Sequence, residues 1–497
     1  MFFHKIIKNN FFYLFLLFTI FLFFYSFNLT KNYSFDSIGF LFAIRENILF
    51  QIFHSYHLIF LPIQILFLKI FKPDNQLLFL QIINSLIANF SILIFFLIIE
   101  KITKNKLCAF LISLLSGTTL WHFKYAVDLE VHSYNAFIIS LLFLNLLYLN
   151  SKNIFLLAII FAIAVLFHQI NIFILPTIIF ALIYRKLSIK KIFYFFIISF
   201  SIIGFSYFFI GYFFLKLNTI IKFYKWLTYY QQLGYWGGFS LQTFSDTING
   251  FAQSFIGKGN NKIFLFYFFI FLLLFIFVKN IKNFFANYFY ELGIFFFWFI
   301  FQSAVVIYWH PLNIENWLSQ LAIWLPAAII LNFLITQKKI KIIYGILLIA
   351  FILNFFNIYK YYIYPNKFEE KSINLVIIKK IKNEVKANEN LIISGEGEYA
   401  NLTIYIKYFL PEIKLYSIDE ILVENKSDFN IMVNKINSIT DGWILSDVFN
   451  NFEPLLNKHK ISKSNYLNFV DKILTTIEIK KKIKIKEWLE IIAFNKK

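Results

Sequence analysis

"WHFKYAVDLEVHSY", Trp121 to Tyr134, sets a lysine, two carboxylates and two histidines between long runs of Phe, Ile and Leu. The flanking runs, near 107–120 and 133–150, read as apolar membrane helices. If both cross a membrane, this polar stretch lies at one membrane face. An ionisable cluster there is costly and marks a working cavity.

Bulk composition supports the membrane reading. Hydrophobic residues make up 59% of the 497, aromatics 22% and charged residues 15%, with 71 Phe. A soluble domain carries roughly 45–50% apolar and about 25% charged residues. The excess apolar surface must face lipid. A single cysteine, Cys108, excludes a disulfide framework and a cysteine metal site. The formal charge of +20 would suit nucleic acid if it formed one basic face. The cations instead sit in short loops between apolar runs, which argues against a nucleic-acid partner.

A spanning helix needs about 20 mostly apolar residues. Runs of this kind predict about eleven spans, near 11–28, 77–99, 107–120, 133–150, 154–168, 170–184, 192–216, 263–278, 288–308, 317–335 and 341–358. The first resembles a signal peptide without a small-residue cleavage site, and is read as an uncleaved anchor. The basic stretches "HKIIK", "EKITKNK", "SKN", "YRKLSIKK", "KNIKN" and "QKKIKI" fall at every second loop. By the positive-inside rule they are cytoplasmic. This holds if "SYHLIFLPIQILFLKIF" (55–71) is interfacial or re-entrant and does not span. The predicted protein is a multi-pass protein of the inner (cell) membrane, its N-terminus cytoplasmic.

Beyond about residue 360 the pattern changes to short apolar strands alternating with charged helices. This predicts an extracytoplasmic α/β domain over 360–497, after an all-α membrane bundle over 1–359. "GEGEYA" (395–400) lacks the third glycine of a dinucleotide fingerprint and reads as a strand-to-helix turn.

The same topology collects most membrane-domain carboxylates and histidines on the outer side: Asp36, Arg45, His54, His57, the Trp121–Tyr134 turn, His168, and "YWHPLNIENW" (308–317). Asp36 precedes an apolar-periodic stretch and suits either a helix N-cap or a general base at the membrane face. Asp128 and Glu130 face apart on a helix and together on an extended segment. They either stabilise the next helix N-terminus or, with Lys124, His122 and His132 beside them, line a pocket for an anionic group. A divalent cation on Asp128 and Glu130 is a further reading and needs ligands from elsewhere. His168 sits at the outer end of a short span, as an interfacial residue or as part of the cavity. His310, Asn313 and Glu315 in the late proline turn suit hydrogen bonds to sugar hydroxyls or a lid, while Trp309, Trp317 and Trp324 suit the interfacial aromatic belt.

Taken in order, these motifs resemble the GT-C superfamily of polytopic lipid-linked glycosyltransferases, in particular a bacterial branch related to protein O-mannosyltransferases and aminoarabinose transferases. The resemblance rests on Asp36 in the first outer loop, "FHSYHLIFLP", "YAVDLEVHSYNAF" and "WHPLNIENWL", and covers roughly residues 1–335. No Asp-x-Asp stands in the first loop, so the metal site of the oligosaccharyltransferase branch is not carried over.

The resemblance implies transfer of a sugar from a polyprenyl-phosphate donor to a lipid, glycan or protein acceptor on the outer face. Asp36 would act as base and Glu130 would orient the acceptor. Arg45, His54, His57, Lys124, Asp128, His168, His310, Asn313 and Glu315 would contact substrate. The main rival is a polytopic transporter or flippase for lipid-linked glycans. Such a protein would carry midplane charges and paired half-repeats, and neither is visible. A surface-polysaccharide polymerase would share the carrier. A non-catalytic scaffold would leave the outer-face clustering unexplained.

Overall fold

The computed structural model describes residues 2–229, 238–257, 281–337, 341–395, 401–425, 427–450, 452–486 and 489–496. The span expected at 263–278 and Gly397 lie outside them. The chain divides into two compact units. One holds Met1–Leu29 with Asn47–Pro365; the other holds Thr30–Glu46 with Asn366–Lys497.

The first unit is helical. Among the described residues five helices are long and apolar enough to cross a membrane: Asn9–Ser26, Gln76–Thr103, Ile189–Phe214, Ala286–Trp309 and Ile342–Asn366. Side-chain caps set several boundaries. Asn75 accepts from the Leu78 N–H and starts the 28-residue helix Gln76–Thr103, which ends where Lys104 turns left-handed. Asn105 accepts from Cys108 N–H and starts Lys106–Gly117. That helix and Leu120–Ala126 meet at a 68° bend. Gly117 at the bend seats the Phe21 ring, which an added Cβ would overlap. The Tyr25 hydroxyl donates to its carbonyl at 2.8 Å.

The bend changes one expectation. Trp121 to Ala126, expected as the first half of a turn, is the greater part of the helix Leu120–Ala126, whose N-cap is Thr119. Phe60–Phe71 has 12 residues, about 18 Å at the helical rise, short of the roughly 30 Å hydrocarbon core.

In the second unit a five-stranded sheet runs in the order β2-β1-β3-β5-β4, with β1 Asn390–Ile393, β2 Lys414–Ser417, β3 Asp441–Leu445, β4 Ile477–Lys486 and β5 Leu489–Lys496. Strands β2, β1 and β3 are parallel, in register through Leu391 opposite Leu415 and Trp443; β5 joins β3 antiparallel. The helix Phe35–Arg45 belongs to this unit. The Arg45 guanidinium donates to the Lys407 and Tyr408 carbonyls, both at 2.7 Å, in the last turn of Leu402–Phe409. Tyr405 donates its hydroxyl to the Tyr33 carbonyl at 2.8 Å. Gly395, just after β1, takes a positive φ of 81°, and a Cβ there would strike the Ser417 hydroxyl; the rest of the expected strand-to-helix turn, 396–400, lies outside the described residues.

Asp447, after β3, is 2% exposed and accepts from the Ser394 N–H at 3.0 Å. Burial raises its pKa from the ordinary 3.8 to about 7, against backbone hydrogen bonds that lower it. Burial disfavours the ionised form, so stability is greatest below the unfolded value and is lost as pH rises through about 7. Asp447→Asn should flatten this slope, read as melting temperature against pH on the full chain.

Candidate functional site

The polar turn is held from behind by amides on a spanning helix. From Gln76–Thr103, Asn84 Nδ2 donates to the carbonyls of Tyr125 and Asp128, both at 2.6 Å, and to Ser133 Oγ at 3.2 Å. The Ser85 hydroxyl donates to the Ala126 carbonyl at 2.7 Å, and Gln81 Nε2 reaches Val127 O at 3.4 Å. Ser133 donates to the Tyr125 carbonyl at 2.8 Å. Between two helices the backbone has no ladder, so its carbonyls need donors from elsewhere. These amides and hydroxyls are those donors. Sequence reading missed them, although Gln81, Asn84, Ser85 and Asn89 follow helical spacing in an otherwise apolar span.

The pinned turn presents its ionisable groups in different directions. Glu130, 2% exposed, occupies the N-cap position of Val131–Leu147 with extended backbone and no side-chain capping bond. Asp128 Oδ1 accepts from the Leu129 N–H at 2.8 Å. His122 turns away, its Nε2 within 3.1 Å of the Ser91 hydroxyl and 3.3 Å of the Ala88 carbonyl. It does not join His132, which lies on the next helix, Val131–Leu147, and packs on Tyr125. Lys124 Nζ donates to the Tyr125 hydroxyl at 3.3 Å and lies 4.8 Å from its ring centroid.

Around Tyr125 a row of imidazoles assembles from three distant segments. Ring centroids are separated by 4.6 Å for Tyr125–His132, 6.0 Å for His132–His168, 4.6 Å for His168–His57 and 6.0 Å for His57–His54. Backbone N–H groups donate to Nδ1 of His54 and of His168, which puts the proton of each neutral ring on Nε2. Nδ1 of His57 lies 3.3 Å from the Phe167 carbonyl, so there the proton is on Nδ1 and Nε2 is left as an acceptor. Burial lowers the pKa of His54 to about 4. His57 is lowered well below the usual range by burial first, then by His168, His54 and His132, with the Phe167 carbonyl opposing. At neutral pH both rings are uncharged.

The late proline turn closes on the same cluster. Trp121 Nε1 donates to the Glu315 carbonyl at 3.0 Å. Asn313 Nδ2 donates to Glu315 Oε2 at 2.9 Å, and the Glu315 N–H returns to Asn313 Oδ1 at 3.1 Å. Trp317 Nε1 donates to the Pro311 carbonyl at 2.7 Å, against which Gly250 of the helix Leu241–Ile256 packs with no room for a Cβ. His310 accepts from the Asn313 N–H at 3.2 Å and is exposed.

Of the expected site residues, His54, His57, Lys124, Asp128, Glu130, His168, His310, Asn313 and Glu315 thus belong to one unit, and most lie on these converging turns. His132, expected beside the pocket, and Tyr125, quoted in sequence but not assigned a role, form one end of the row. Asp36 and Arg45 belong to the other unit. Asp36 is not the N-cap that its position suggested: Ser34 caps Phe35–Arg45, accepting from Ser37 N–H at 3.0 Å, and Asp36 falls in the first turn. The guanidinium of Arg45 is engaged on helix-end carbonyls and on Glu46 at 2.8 Å. Among the described residues no group of three or more His, Cys, Asp or Glu is arranged to hold a metal ion.

A Ser427–His459–Asp419 chain, with both contacts 2.8 Å, has the residue types of a hydrolytic triad. The Ser427 N–H is engaged on Leu422 O at 2.7 Å and that of Asp428 on Asn425 O at 3.0 Å. Neither of these N–H groups is left to hold an oxyanion, and the Asp419–His459 contact reads as a lock between the helices Ile418–Glu424 and Glu453–His459.

No family model matches the chain, and no curated protein matches it. Among solved structures it is similar to ArnT from Cupriavidus metallidurans bound to undecaprenyl phosphate, with TM-score 0.57 and 9% identity over 98% of each chain. The apo state of that protein gives TM-score 0.45 and 9% identity over 96% of each chain. At this identity the likeness speaks of architecture: along nearly its whole length the chain shares the fold of that protein.

Proposed function

We propose that this protein is an integral-membrane glycosyltransferase that moves a sugar from a polyprenyl-phosphate carrier to an acceptor on the extracytoplasmic face, inverting the anomeric carbon. The observation that carries the reading is the meeting of three distant polar segments, around His57, Tyr125 and Glu315, in a unit otherwise built of apolar helices. The structural neighbour solved with undecaprenyl phosphate supports the choice of carrier.

In this reading the acceptor oxygen bonds to the anomeric carbon as the bond to the carrier phosphate breaks. The electron pair leaves on the phosphate, and Lys124 offsets the growing negative charge. Neutral imidazoles at His54 and His168 offer Nε2–H donors to phosphate or sugar oxygens. Asp36 takes the acceptor's proton, and attack opposite the leaving group inverts the centre. Glu130 orients the acceptor, and Asn313 with Glu315 binds sugar hydroxyls. If a divalent cation takes part, Asp128 and Glu130 are the carboxylates that would meet it. An apolar cavity of about 530 Å³ lined by Phe180, Phe289, Phe297, Ala322 and Pro326 suits part of an isoprenoid tail.

Mass spectrometry of lipid co-purified with the protein should find a polyprenyl phosphate, and purified protein should release it from a polyprenyl-phosphate sugar. Movement of intact lipid-linked glycan across vesicles without bond cleavage would favour the transporter.

A further inference from the structure

The short helix Ile220–Leu227 carries three kinds of surface in order around its axis. Trp226 is buried at 2% exposure, with Phe223 and Leu227 half-buried beside it on the protein side. Next come Ile220, Ile221 and Tyr224, which are 83%, 64% and 59% exposed. Lys222 and Lys225 complete the circle, both exposed, and Lys216 is exposed just before the helix. Steps of about 100° per residue put these groups on separate arcs. Eight residues make about 12 Å of helix, too short to span. No Asp or Glu occurs anywhere from residue 131 to 245, so the sequence around these lysines is uniformly cationic.

The buried arc is fastened to the histidine turn. Trp226 Nε1 donates to the Phe53 carbonyl at 3.2 Å. The Ser55 hydroxyl donates to the Trp226 carbonyl at 2.7 Å, and the Tyr207 hydroxyl to the Ser55 carbonyl at 2.7 Å. Gly211 seats the Phe223 ring. Just past the helix, Tyr229 stands edge-on to His54, with centroids 5.5 Å apart, and also to Phe50 at 5.5 Å.

We propose that Ile220–Leu227 is an interfacial helix that docks on anionic phospholipid headgroups and transmits that contact to the His54–His57 turn. The exposed apolar arc enters the acyl boundary, and Lys216, Lys222 and Lys225 meet the headgroup phosphates. A zwitterionic surface satisfies the apolar arc alone; an anionic one seats the helix deeper and presses Trp226 and Tyr229 onto the turn. This needs no assumption about sugar transfer, and its test does not read activity.

The full chain with Cys108→Ser, labelled with a nitroxide at Ile221→Cys, is placed in phosphatidylcholine vesicles with or without phosphatidylglycerol. Collisions with oxygen should dominate those with a water-soluble nickel chelate, and phosphatidylglycerol should increase that bias. A second label at Phe50→Cys should change line shape with the same lipid. Lys216→Gln, Lys222→Gln and Lys225→Gln together should remove both lipid responses. Dominance of the chelate at position 221, or equal depth in both lipids, overturns the docking. A response at 221 with none at 50 overturns the transmission to the turn. A label at 221 immobilised in detergent, before lipid is added, would show a protein-covered face and overturn the proposal as well.

Discussion

Asp36→Asn is expected to lower sugar transfer by roughly 10²–10⁴-fold, the range that a positioned general base supplies. The substitution keeps the side chain's size and removes its ability to take a proton. Ser34 caps the helix, so the change leaves the cap in place. The helix-dipole interaction of one first-turn carboxylate is worth only about 0.3–1 kcal/mol. The protein should therefore insert and melt as the parent does while turnover disappears. Initial rates with a polyprenyl-phosphate sugar, alongside melting curves, separate the two effects. Activity within a few-fold of the parent would remove Asp36 from the base role.

The second large effect belongs to a residue outside any catalytic role. Asn84→Leu takes the donor from the buried carbonyls of Tyr125 and Asp128 and from Ser133. Each buried acceptor left unpaired costs about 1–3 kcal/mol, so the turn should detach or rearrange, lowering both melting temperature and turnover. Asn84→Asp preserves shape but offers only acceptors when ionised, and it should be as damaging as Leu. Ser85→Ala, which releases one carbonyl, should cost about 1 kcal/mol. Survival of Asn84→Asp with normal melting and turnover would show that packing, and not donation, holds the turn.

Local signals carried much of the architecture. Long apolar runs mark the five helices that are long and apolar enough to cross a membrane among the described residues, and the alternation of short apolar strands with charged helices marks the C-terminal sheet. The β4 strand was missed, although Ile477, Ile479, Ile483 and Ile485 keep a period-two pattern among charged residues, broken only at Lys481, as on an exposed edge. The site was legible as a set of polar stretches but not as a constellation. Nothing local to "FHSYH", "YAVDLEVH" or "FHQ" says that His57 will stand against His168, or that His122 will turn to Ser91 while His132 turns to Tyr125. Those outcomes depend on the bend at Gly117 and on the amides of a neighbouring span. The union of residues 30–46 with the C-terminal sheet is a tertiary pairing that composition cannot reveal, since the segment adjoins the anchor helix in sequence.

That pairing bears on how the protein is made. The stretch Thr30–Glu46 leaves the ribosome early, and its partners from Asn366 onward come last. At ordinary synthesis rates of about 5–20 residues per second the wait is on the order of tens of seconds. Throughout it, the face that buries Ile38 and Leu41 has no native cover. A chain shortened before Asn366 would leave it permanently bare, so the C-terminal unit cannot be treated as a detachable appendage in biogenesis.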